Sequence, residues 1–197
     1  LYLPFLRRLK TSFAQYGLAV SADLEAGRDM DWREASAICD FVVVMAYDEH
    51  GSGPKTPGPI ASITWYRGCL DRATRDIPPE KLVIGLANYA YDWADNRDWA
   101  DPMNYQSALI AAEKYRTGET PEQIVDFDDK NLNPTFEYDD DAGTHHVVWF
   151  LDAVTAANQW LLAQNKGVRG VAVWGLGSTE RSLWKCIDPH NMPRPPD

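Results

Sequence analysis

The run Asp40-Phe41-Val42-Val43-Val44-Met45-Ala46-Tyr47-Asp48 constrains this chain more than any other stretch. A nearly uninterrupted apolar run with consecutive valines is what a strand buried on both faces requires, and that is the habit of parallel sheets. The strand delivers a tyrosine and a carboxylate together at its C-terminal end, the edge where α/β enzymes keep their chemistry. Tyr47 and Asp48 are the first candidate site residues on this ground.

The flanking sequence supplies the rest of a βα pattern. Leu3, Leu6, Leu9 and Phe13 recur at helical spacing between Arg7, Arg8 and Lys10, and Gly17 stops the helix. Leu18 to Leu24 predicts a short strand, and Asp31-Trp32-Arg33-Glu34-Ala35 starts a brief helix behind an acidic N-terminus. After the strand Phe41 to Ala46 comes a Gly- and Pro-rich loop from His50 to Pro59, then a helix from Ile63 to Arg75 closed by Pro78-Pro79. Lys81 to Ala87 gives a third buried strand, with Asn88-Tyr89-Ala90-Tyr91-Asp92-Trp93 at its C-terminal end. A helix from Leu151 to Gln164 leads to a fourth strand, Gly170 to Trp174.

Residues 94–150 do not fit a simple crossover and predict an inserted α+β subdomain. Tyr105 to Tyr115 has helical spacing, broken by Gly118 and Pro121. Ile124-Val125-Asp126-Phe127, Thr135-Phe136-Glu137-Tyr138 and His145 to Phe150 are expected to be short antiparallel strands, with Asp139-Asp140-Asp141-Ala142-Gly143 as a hairpin turn. Placed in a βα loop, such a subdomain walls one side of a cleft.

Composition narrows the partners. Across 197 residues there are 29 acidic and 19 basic residues, a net charge of −10, and no Lys/Arg cluster suited to phosphates. Nucleic acid is not an expected partner, and no cofactor motif is present. Eight Trp and nine Tyr suit a core, and aromatic faces flanked by carboxylates also hold sugars. Cys39, Cys69 and Cys186 lie outside any metal-ligand spacing and are expected to be buried free thiols. Asp128-Asp129 and Asp139-Asp140-Asp141 lack the calcium-loop pattern, and His145 and His146 point to opposite faces of a strand, so no metal is expected. The chain opens without Met, already in helical spacing, which predicts a piece of a longer protein.

The strand ends carry a resemblance. Met45-Ala46-Tyr47-Asp48 resembles the Met-x-Tyr-Asp signature on the sixth barrel strand of family 18 glycoside hydrolases. Gly85-Leu86-Ala87-Asn88-Tyr89-Ala90-Tyr91-Asp92-Trp93 is similar to their seventh strand, and Gly170-Val171-Ala172-Val173-Trp174-Gly175-Leu176-Gly177 to their eighth. The likeness spans nearly the whole chain and is nearest to the spore-wall and cell-wall N-acetylglucosaminidase branch, and to domains fused with polysaccharide deacetylase and glycosyltransferase modules. It implies an α/β fold, strands five to eight of a (β/α)8 TIM barrel, with the α+β insertion between the last two strands. It also implies β-linked N-acetylglucosamine polymers, chitin or peptidoglycan-like, as partners, and a site outside the cytoplasm or at the cell envelope.

In this family the substrate's own N-acetyl carbonyl attacks the anomeric carbon, an exception to the scheme of two enzymic carboxylates. The resemblance makes Tyr47 the donor to the acetamido oxygen and has Asp48 bond substrate or fix the acidic network. It gives Trp174 as the apolar floor beneath the sugar, with Met45, Asn88 and Tyr89 as further substrate-binding residues. Glu49 and His50 enter the next loop, where they are expected to be solvated loop residues, contact with a subsite being the alternative. The family's Asp-x-x-Asp-x-Asp-x-Glu motif, which carries the proton-donating acid on the fourth strand, does not occur in these 197 residues and is expected N-terminal to Leu1, on the upstream half of the domain. Asp23-Leu24-Glu25 mimics its tail, but its distance to Tyr47 fits a fifth strand. Two alternatives to a hydrolase follow: a non-catalytic sugar-binding domain, and a half-barrel that self-associates through its open edges.

Overall fold

The computed structural model describes residues 1–53, 56–116, 125–175, 177 and 181–187. In chain order these form α1 (Tyr2–Ala14), β1 (Ser21–Glu25), α2 (Trp32–Ile38), β2 (Phe41–Met45), α3 (Ile63–Asp76), a single 3-10 turn (Pro79–Lys81), β3 (Leu82–Ala87), β4 (Tyr89–Ala94), β5 (Asp101–Asn104), α4 (Tyr105–Lys114), β6 (Asp126–Asp128), β7 (Asn133–Asp139), β8 (His145–Phe150), α5 (Ala153–Asn165), β9 (Gly170–Trp174) and α6 (Leu183–Cys186).

Two sheets organise them. The first is parallel, in the order β1-β2-β3-β9, and its register sets Leu24 beside Val44 and Val44 beside Ile84. Ala22, Leu24, Val42, Val44, Leu82, Ile84 and Leu86 share one core with Leu6 of α1, Trp32 of α2, Leu70 of α3 and Trp160 of α5. The crossover helices therefore all cover the same face. In a doubly wound sheet the strand order reverses and helices cover both faces, whereas sequential order with one helical face is the geometry of a barrel wall. The opposite, concave face carries Asp23, Val43, Met45, Tyr47, Gly85, Ala172 and Trp174.

Local signals explain the element ends. Asp31, Ser62, Asn104 and Asp152 each cap a helix by accepting from the backbone N–H three residues on. Asp40 joins three elements: its carboxylate accepts from Val20 N at 2.6 Å and from Lys10 Nζ at 2.5 and 2.6 Å, tying α1 and β1 to the start of β2.

The second sheet is antiparallel, in the order β5-β4-β8-β7-β6, with α4 packed on Ala90, Phe136, Val148 and Phe150. The helix and the last two strands match the sequence reading. Two strands do not. Tyr89-Ala90-Tyr91-Asp92-Trp93, expected as a polar strand end, is itself the central strand β4, so this sheet begins ahead of the 94–150 boundary read from sequence. Its edge partner β5 escaped notice because it is four residues long and contains Pro102, which is tolerated only at an edge. Gly118, Pro121 and Ile124 lie outside the described residues.

Buried amides fasten the second sheet to the first. Asn133 accepts from Ala61 N at 3.2 Å and donates to Ala61 O at 3.0 Å, and Gln159 donates to the same carbonyl at 3.1 Å. Asn88 N donates to Trp174 O, and Leu151 N to Tyr89 O. Of the cysteines, Cys39 is buried and Cys69 half-buried, but Cys186 on the short α6 is exposed, contrary to expectation. Among the described residues no helix is long and apolar enough to cross a membrane.

Candidate active site

The C-terminal ends of β1, β2 and β9 open into a cleft of about 800 Å³, closed on one side by β4 and β5 of the second sheet. Its walls include Glu25, Met45, Tyr47, Asp48, Glu49, Trp65, Tyr89, Tyr91, Met103, Asn104 and Trp174. A smaller hollow of about 260 Å³ continues along the concave face between Asp23, Met45, Tyr47 and Trp174.

Tyr47 owes its place to a missing side chain. A Cβ on Gly85 would stand 2.8 Å from Tyr47 Cε1, 3.1 Å from Val44 O and 3.3 Å from Met45 Cα. Only glycine on β3 lets the Tyr47 ring lie across the sheet. Burial, then the negative charges of Asp48 and Asp23, push the Tyr47 phenol up to about 12. It is therefore a protonated donor at any physiological pH.

Asp48 turns the chain out of β2 in the left-handed region, at φ 64°. Aspartate tolerates that conformation better than most residues, and the following loop holds it. Glu49 N donates to Ile60 O at 2.9 Å, and Glu49 Oε2 accepts from Ser62 N at 2.7 Å at the head of α3. The His50 ring lies against Gly58 and its Nδ1 is 2.9 Å from Pro59 O, so His50 is a loop anchor. The turn aims the Asp48 carboxylate at β4. Its Oδ1 accepts from the Tyr89 hydroxyl and, at 3.0 Å, from the Tyr91 hydroxyl. Tyr91 is pushed up to about 12 by burial and then by the Asp48 charge, and Tyr89 is raised further by the same causes.

Alternation along β4 decides which residues reach the cleft. Tyr89, Tyr91 and Trp93 form an edge-to-face ladder at 5.3 and 5.7 Å on one side. Asp92 is on the other, accepting from Tyr138 Oη at 2.8 Å and lying 2.8 Å from His146 Nδ1. Asn88, expected to bind substrate, is instead fully buried and donates to Leu151 O at 2.7 Å, so its side chain braces the junction of the sheets. Trp174 is 61% exposed, with a cis peptide to Gly175, and lies across the sheet from Tyr47.

The structure thus brings together Tyr47, Asp48, Met45, Tyr89 and Trp174, and leaves Asn88 out. Sequence reasoning missed Trp65, which lies in the first turn of α3, and Met103 and Asn104, which sit on the unrecognised strand β5. Asp23 and Glu25 both face the cleft side, Glu25 paired with Arg28 at 2.6 Å. Among the described residues no group of three or more His, Cys, Asp or Glu is arranged to hold a metal. What the arrangement offers is a hydroxyl donor, an oriented carboxylate and aromatic surfaces, a set suited to the amide, hydroxyls and apolar face of an aminosugar.

Comparison with known proteins agrees with this geometry. The profile of glycosyl hydrolases family 18 matches residues 1–178. The chain is 32% identical over 164 residues to the uncharacterized glycosylase YvbX of Bacillus subtilis, covering 80% of this chain and 44% of that protein. It is 29% identical over 202 residues to the cortical fragment-lytic enzyme of Bacillus subtilis, covering 94% of this chain and 45% of that protein. The crystal structure of the spore cortex-lytic enzyme SleL of Bacillus cereus superposes with a TM-score of 0.81 at 28% identity, over 94% of this chain and 43% of that one. The chain spans less than half the length of these relatives.

Proposed function

Because the chain belongs to the glycosyl hydrolases of family 18, we propose that it is the portion of such a catalytic domain comprising strands five to eight of the barrel, with β1, β2, β3 and β9 in those places and residues 89–150 as the insertion between the last two. Its role is to bind β-linked N-acetylglucosamine polymers outside the cytoplasm and to polarise the acetamide of the reacting sugar.

The observation that carries this reading is the convergence of Tyr47, Asp48 and Trp174 on one cleft at the C-terminal edge of a parallel sheet. The Tyr47 hydroxyl donates to the acetamide oxygen, which directs that oxygen to the anomeric carbon and stabilises the charge that develops on the acetamide as the glycosidic bond breaks. Asp48, fixed by two phenols through Oδ1, presents Oδ2 to the sugar. Trp174 supplies an apolar floor that excludes water. No residue of this cleft is assigned to protonate the leaving oxygen. That acid belongs to a fourth strand, which would pair with the edge of β1 that has no strand partner among the described residues.

The test is recombination. The chain alone and the chain joined to the preceding half-barrel of the Bacillus subtilis cortical fragment-lytic enzyme are incubated with N-acetylglucosamine oligomers. Hydrolysis is expected only in the joined protein and is lost with Tyr47→Phe. Turnover by the chain alone would overturn the assignment of the acid. A joined Tyr47→Phe protein that folds and hydrolyses as well as its parent would overturn the role of Tyr47.

A further inference from the structure

Every ionisable side chain lining the cleft and its adjoining hollow, tyrosines apart, is a carboxylate. Glu25, Asp48 and Glu49 line the cleft and Asp23 the hollow, with no Lys, Arg or His among the described residues of either wall. These four are not equivalent. Glu25 is paired with Arg28 at 2.6 Å, and Glu49 is turned back onto the backbone at the head of α3, accepting from Ser62 N at 2.7 Å. Asp23 and Asp48 have no cationic partner among the described residues. The partners of Asp48 are the hydroxyls of Tyr89 and Tyr91, which orient its charge without cancelling it.

The surroundings lengthen the reach of these two charges. Tyr47, Tyr89, Tyr91, Trp65 and Trp174 form the nearest walls, and a concave, weakly polarisable surface focuses a field that a flat surface would let water screen. Sugars of one backbone but different charge are therefore distinguishable here. A carboxylate about 10 Å away changes affinity by roughly twofold per unit charge on the ligand, after screening at ordinary ionic strength. Two unpaired carboxylates give roughly fourfold for one charge.

We infer that this cleft selects its glycan by charge: it takes β-linked aminosugar chains that are neutral or carry free amines beside the reacting N-acetylated sugar, and discriminates against chains whose sugars bear carboxylates. Asp23 is the residue that sets this preference without contacting the acetamide, because it lies deeper on the concave face than Tyr47. The inference rests on the functional reading above and narrows its substrate class. Free amines are accommodated only on flanking sugars, since the sugar above Tyr47 needs its acetamide for the chemistry.

The experiment is calorimetric titration of the chain, at low and at physiological salt, with three oligomers of equal length. They are a fully N-acetylated glucosamine tetramer, the same tetramer with one acetamide retained and the others removed, and a tetramer alternating N-acetylglucosamine with N-acetylmuramic acid. At low salt the amine-bearing tetramer is expected to bind at least fourfold more tightly than the neutral one (roughly, by the charge estimate above), and the carboxylated one correspondingly more weakly. The spread should shrink in salt, and Asp23→Asn, a change at an exposed side chain, should narrow it by about half while sparing the neutral tetramer. Equal affinities, tighter binding of the carboxylated tetramer, or a spread that neither salt nor Asp23→Asn moves would overturn the inference and leave the functional reading standing. Binding of none of the three would overturn the functional reading itself, and this inference with it.

Discussion

Gly85→Ala is a small substitution with a large expected consequence. The added methyl would lie 2.8 Å from Tyr47 Cε1, where carbon atoms ordinarily stop at about 3.5–4.0 Å, so the ring must retreat by about 1 Å. The other two neighbours, Val44 O at 3.1 Å and Met45 Cα at 3.3 Å, are backbone of an adjacent paired strand and yield only by distorting the sheet. Overpacking of this kind costs about 1–3 kcal/mol, which for a chain of this size lowers Tm by about 2–12 °C. On the proposed function, the displaced hydroxyl would also lose its bond to the acetamide, worth about 1 kcal/mol or roughly fivefold in affinity. Thermal unfolding reads the first effect and titration with an N-acetylglucosamine oligomer reads the second. A double-mutant cycle with Tyr47→Ala isolates the clash, because once the ring is removed Gly85→Ala should cost about 1 kcal/mol less. Strict additivity, or a Gly85→Ala variant with unchanged Tm and undiminished sugar binding, would refute the reasoning.

Further outcomes follow from the same geometry. Asn133→Ala strands the Ala61 N–H in a buried site, while the Ala61 carbonyl keeps Gln159, and should cost about 1–3 kcal/mol, seen as a lower urea midpoint; an unchanged midpoint would show that the amide is not a fastening. The Tyr47 and Tyr91 phenols sit at about 12 in the folded chain against about 10 unfolded, so the folded state retains protons that the unfolded chain releases. The stability they contribute is intact below about pH 10 and is lost as pH rises to about 12. Asp48→Asn should bring the Tyr91 phenol back toward its ordinary value in carbon-13 tyrosine NMR, and a titration that does not move would contradict the clamp. The edges of β1 and β9, unpaired among the described residues, and the concave face between them predict that the chain alone self-associates. Sedimentation velocity should show concentration-dependent assembly, and a monomer at all concentrations would contradict it.

The parallel strands were legible because burial on both faces writes a continuous apolar run, as in Val42 to Met45 and Leu82 to Ala87. Tyr47 and Asp48 were legible from their place at the end of such a run. β4 was not, because Tyr-Ala-Tyr-Asp-Trp directly follows β3 and a chain that turns from one sheet into another leaves no Gly or Pro to mark the change. Its alternation nonetheless held the answer: Tyr89 and Tyr91 line the cleft and Asp92, on the other side of the strand, faces His146. Asn88 misled because an amide at a strand end serves substrate and backbone carbonyls equally well in sequence, and here the carbonyl of Leu151, sixty-three residues on, takes it. Contacts that depend on distant backbone, such as Asn133 with Ala61, leave no local signature.

The most direct measurement compares binding of an N-acetylglucosamine oligomer with that of a glucose oligomer of the same length and linkage, by calorimetry, to the chain and to its Tyr47→Phe variant. If the cleft is built around an acetamide, the acetylated oligomer binds more tightly to the chain and Tyr47→Phe removes most of that advantage while leaving the fold intact. Equal binding of the two oligomers, or a preference that survives the loss of the Tyr47 hydroxyl, would contradict it.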